Sequence, residues 1–93
     1  MSVDETSGGL NNYYLVQVLH PQREDQVPYQ AECEDIIEAL ELNFDEGNIF
    51  KEIWRFANAR KGNGKPGNTA KRNGEKILHY AQRIHRRSMR NPE

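Results

Sequence analysis

The clearest pattern along the chain runs from Asp45 to Ala59, DEGNIFKEIWRFANA. At about 100° per residue, Ile49, Phe50, Ile53, Trp54, Phe56 and Ala57 gather on one side and Lys51, Arg55 and Asn58 on the other. This predicts an amphipathic core helix that carries the one tryptophan and two of the three phenylalanines. Upstream, Tyr13–Leu19 (YYLVQVL) is β-branched and aromatic, lies between Asn-Asn and His-Pro, and predicts a strand. From Gln30 to Leu42 the helical period returns. Cys33, Ile36, Ile37 and Leu40 form a buried stripe opposite Glu34, Glu38 and Glu41. Asn43 reads as a terminator, Phe44 as a staple and Asp45 as the N-cap of the next helix. So short a link makes the first two helices an antiparallel hairpin. A third helix, capped by Asn68 or Thr69, runs to about Ser88 with Ile77, Leu78, Ala81 and Ile84 inward.

The segment after the strand, HPQREDQVPYQ, has two prolines and no alternation, and reads as an extended connection. One strand cannot satisfy its own backbone. Either a second strand lies within 20–30 or the partner is the same strand of a second subunit; the poor strand character of that segment favours the second, a homodimer whose intersubunit pairing would make a small α+β fold. Residues 1–11 are polar and acidic and read as a disordered leader. Residues 12–88 then form one small, mostly α domain, and 89–93 a frayed tail.

Charge sharpens this picture. Residues 1–50 hold eleven acids and one base, Arg23, whereas 51–93 hold twelve bases and three acids. On the third helix Arg72, Lys76, His79, Arg83, Arg86, Arg87 and Arg90 fall on one face. Two readings stay open. The stripe meets an anionic partner, or it is a solvated face that pairs with Glu34, Glu38 and Glu41 of the first helix.

Composition excludes other classes. The mean hydropathy of −0.97 and the lack of a long apolar run leave no candidate membrane span. The acidic start is unlike a signal peptide, so the expected location is the cytoplasm. The lone Cys33 rules out an internal disulfide, and its apolar position predicts a buried, reduced thiol.

Catalytic patterns are lacking. Gly62-Asn-Gly-Lys-Pro-Gly-Asn-Thr69 fails as a phosphate loop: Pro66 follows Lys65, which removes a backbone donor. A loose anion contact by Lys61, Lys65 and the start of the third helix remains open. Glu32/Asp35 and Glu38/Glu41 have the i, i+3 spacing of helical magnesium sites, but the second helix puts Lys51 and Arg55 where a second carboxylate pair is needed. His20, His79 and His85 make no ligand set with Cys33, and no metal or other cofactor is expected.

The run Tyr14–His20, with Pro28-Tyr29 after it, looks like small uncharacterised phage and prophage proteins, and the order Ile37-Glu-Ala-Leu40, Gly47-Asn48-x-x-Lys51-x-x-x-Arg55 and Glu75-Lys76-Ile77-x-x-Tyr80 resembles the SaV-like phage family, the likeness covering about 14–84. Some members of that family are annotated nucleotide kinases. The usual Asp-Leu before the last helix is replaced by Asn73-Gly74. The resemblance implies a phage origin, a helical fold, and Gly47, Asn48, Lys51 and Arg55 as signature positions. The expected function is a non-enzymatic interaction protein. It binds nucleic acid, a nucleotide signal, an acidic protein surface or a nucleic-acid-bearing host or defence complex. The binding residues are Lys51, Arg55, Lys65, Arg72, Lys76, Arg83, Arg86, Arg87 and Arg90. The competing expectation is a nucleotide-handling enzyme, a small kinase or a magnesium-dependent pyrophosphatase.

Overall fold

The computed structural model describes residues 12–90, so the expected leader 1–11 and residues 91–93 of the tail lie outside it. The order is β1 (Leu15–Val18), β2 (Tyr29–Glu32), α1 (Cys33–Ala39), α2 (Phe44–Arg60) and α3 (Ala70–Arg90). The fold is mostly helical with a short two-stranded antiparallel sheet near the start.

The sheet corrects two expectations. β1 finds its partner in β2 of its own chain, from Leu15 opposite Glu32 to Val18 opposite Tyr29, where the same strand of a second subunit is the expectation. The start expected for the first helix, Gln30–Glu32, is extended instead. The unpaired groups of β1 need a partner, and Pro28 delivers the chain in an extended conformation. The Cys33 N–H still donates to the Tyr14 carbonyl at 2.9 Å, so α1 starts where the ladder ends.

α1 stops at Ala39, short of the expected Leu42. Glu41 takes the left-handed φ of 55°. Its N–H donates to the Glu38 carbonyl, and the Leu42 N–H to that of Ile37, both at 3.0 Å. This is the paired closure typical of a helix C-terminus, with glutamate in place of glycine.

α2 is capped by Asn43 and not by Asp45. Asn43 Oδ1 accepts from the Glu46 N–H at 2.9 Å, and Glu46 Oε1 accepts from the Asn43 N–H at 3.0 Å. This reciprocal box satisfies two otherwise orphaned donors. Phe44, expected as a staple, packs edge-on against Tyr80 at 5.8 Å. Of the two caps considered for α3, Thr69 serves: its Oγ1 accepts from the Arg72 N–H at 3.1 Å. α3 extends to Arg90, past the expected Ser88. Between α2 and α3 the chain turns at Gly62 and Gly67, whose φ values of 93° and 85° favour glycine.

α2 is sandwiched. α3 packs antiparallel along one side, where Asp45 meets Arg83 and Glu52 meets Asn73. The sheet and α1 lie on the other. Ile37 touches the space beside Gly47, and Asn58 Nδ2 donates to the Tyr13 carbonyl at 3.0 Å. The most extensive helical pairing is thus α2–α3, while α1, joined to α2 by the short link 40–43, meets it beside Gly47. Because α3 packs on one side only, Leu78 and Ala81 are exposed and not inward. Leu40, beyond the end of α1, is exposed too. Among the described residues, Cys33 is the only apolar side chain that is fully buried.

Candidate anion-binding face

The α2–α3 seam is built from polar groups. Asp45 and Glu52 lie seven residues apart on α2, on one face two turns apart. Lys76 and Arg83 repeat that spacing on α3. Arg83 Nε donates to Asp45 Oδ1 at 2.6 Å, and Arg87 Nη2 stands 3.6 Å from Oδ2. One helical stretch along, Asn73 Nδ2 donates to Glu52 Oε1 and to Asn68 Oδ1, both at 2.9 Å. Lys76 Nζ lies 3.8 Å from Glu52 Oε2. Asp45, Glu52 and Asn73 are 2%, 1% and 1% exposed. Asn73 Oδ1 and Asn68 Nδ2 are buried beside this cluster without a hydrogen bond.

The seam divides the residues predicted to bind anions. Lys76, Arg83 and Arg87 are held by acids of α2. Internal pairing therefore does occur, but the acids come from α2 and not from Glu34 and Glu38 of α1 or Glu41 just beyond its end, all of which are exposed. Arg72, Arg86 and Arg90 are exposed on α3 and, among the described residues, make no ion pair. They span about 27 Å at 1.5 Å per residue. Lys65 is exposed in the glycine loop. Arg55 sits over the Tyr14 ring at 6.0 Å, a cation–π contact that draws it towards the sheet. Lys51 is half-buried, and its charge acts on Cys33. Lys51 and Arg55 thus stand apart from the outward row of α3.

Asp45, Glu52, Asn68 and Asn73 are the residues that sequence reasoning missed as a unit. The available signal was the shared seven-residue spacing of acids on α2 and bases on α3. Cys33 is buried and free, as expected. Burial, reinforced by Glu32 and Glu34 and opposed by Lys51, pushes its thiol up to about 11. Glu32 is raised as well, by burial first and then by Asp35 and Glu34. Among the described residues no three His, Cys, Asp or Glu side chains converge as a metal site, and no helix is long and apolar enough to cross a membrane. Comparison with family models, with curated proteins and with solved structures finds no match.

Proposed function

We propose that the protein is a non-enzymatic module that binds a nucleic-acid backbone along α3. The observation that carries this is the division of the basic stripe. Lys76, Arg83 and Arg87 are taken up by the seam, while Arg72, Arg86 and Arg90 remain outward in a row about 27 Å long. A single nucleotide calls for cations that converge on one point. A row spread over five turns suits an extended polyanion, whose successive phosphates each meet one cation. Lys65 extends the positive surface at the end of α3 nearest the loop.

Reversing Arg83 or Arg87 would set a carboxylate beside the buried Asp45 in place of one of its two partners, so the informative variant is Arg72→Glu/Arg86→Glu/Arg90→Glu. Fluorescence anisotropy with labelled single- and double-stranded oligonucleotides should show binding whose log affinity falls with log salt at a slope of about −3, one unit for each outward arginine. The triple variant should lose it with helicity unchanged. Equal binding by the triple variant discards the reading. Magnesium-dependent nucleotide turnover that Glu34→Gln or Glu38→Gln removes would replace it with the enzymatic one.

A further inference from the structure

The α2–α3 pair leaves one flank of α2 uncovered, and that flank has an internal symmetry. Glu46, Ile53 and Arg60 stand seven residues apart, all on one side of α2. All three are exposed, Ile53 by 49%, which is unusual for an isoleucine in the central helix. At about 100° per residue this side turns away from both the Asp45–Glu52 seam and the Trp54 side that meets the sheet layer.

We infer that this flank is where a second copy of the chain docks, α2 lying antiparallel on α2 about a two-fold axis at Ile53. The order acid, apolar, base fits its own reverse. With Ile53 on Ile53 of the partner subunit, Glu46 of each chain faces Arg60 of the other. A parallel pairing sets like charge on like. A two-fold contact must be self-complementary in this way, so the charges select a second copy over an unrelated helix. The groups needed are free to act. Glu46 uses only Oε1 in the capping box, so Oε2 is left. Arg60 rests over the Phe56 ring at 5.7 Å, with its N–H edge open to a carboxylate. This contact differs from strand pairing and does not depend on what α3 binds.

Sedimentation velocity of the full chain tests it with two kinds of variant. The parent should run at twice its chain mass of 10.8 kDa, and Ile53→Asp as a monomer of unchanged helicity. Glu46→Lys and Arg60→Glu should each raise the dimer dissociation constant by about tenfold, since each sets two repulsive pairs in place of two attractive ones. An equimolar mixture of the two should return to parental affinity, because the mixed dimer restores both attractions. Glu46→Gln keeps the capping hydrogen bond and loses only the charge, and should loosen the dimer by about threefold. A parent that stays monomeric up to roughly 100 µM overturns the inference. So does an Ile53→Asp protein of dimeric mass, or association untouched by both Glu46→Gln and Arg60→Glu.

Discussion

The two sides of α2 are held by different means. Towards α3 the contact is specified by buried side-chain polarity: Asp45 with two guanidinium groups, and Glu52 with an amide and a more distant ammonium. Towards the sheet it is specified by backbone groups. Asn58 and Asn63 donate to the Tyr13 and Asn12 carbonyls, and Cys33 is buried at the start of α1. Apolar side chains line both sides but are mostly half-exposed, so neither side is fixed by oil-like burial alone. The difference concerns register. A slip of α3 by one turn would unmatch Asp45 and Glu52 together, and buried unpaired carboxylates are costly. A slip on the sheet side would only exchange one carbonyl for another.

The sharpest way to break the seam is Asn73→Asp. It replaces the donor to Glu52 with a second carboxylate in a site sealed from water. The expected loss is about 3 kcal/mol or more near neutral pH, read from urea unfolding. The two carboxylates share a proton, so the folded-state pKa is raised. The loss should therefore shrink as pH falls towards about 5 and grow again as it rises. A variant as stable as the parent at pH 7.5 would show that Glu52 does not depend on that amide.

Arg83→Leu comes next. It leaves Asp45 buried with Arg87 alone, and should cost about 2 kcal/mol. That is below the cost of breaking a fully buried pair, because the Arg83 side chain is 39% exposed. Arg86→Leu, one face around, should stay within about 0.5 kcal/mol. Equal losses from the two would remove the distinction between inward and outward cations.

The sheet side gives the smallest effect. Because the Cys33 thiol is raised to about 11 in the folded chain, the stability it confers is complete below the ordinary thiol range. It is lost as pH rises from about 9 to 11. The stability of the parent relative to Cys33→Ala should hold steady up to about pH 9 and then fall by on the order of 1 kcal/mol across that window. A difference constant from pH 7 to 11 would assign the effect to packing instead.

Much of the fold was legible in the residues themselves. The spacing of Ile49, Phe50, Trp54 and Phe56 marks α2, and a hydroxyl at Thr69 ahead of a basic helical run marks the start of α3. β2 was not legible, because Gln30, Ala31 and Glu32 are at least as good in helices as in strands. What extends them is the unmet backbone of β1, a tertiary demand. Asp45 looked like a cap because an acid suits the start of a helix, yet Asn43 followed by Glu46 is the stronger capping pattern. Helical spacing found the seven basic positions of α3 but not which edge of the stripe turns inward. That depends on α2 lying alongside with Asp45 and Glu52 towards it, which no single-helix pattern contains.

The two side-chain amide hydrogen bonds that moor the chain just before β1 have a consequence for the order in which the chain assembles. Asn58 and Asn63 reach partners 45 and 51 residues earlier in sequence, whereas α2 and α3 are joined by a nine-residue link, 61–69. Closing the long loop costs more chain entropy than closing the short one, and its reward arrives only once the C-terminal end of α2 exists. β1 is thus expected to dock last and to open first. In native-state hydrogen exchange the amides of Leu15–Val18 should lose protection in a small opening that leaves those of α2 and α3 intact.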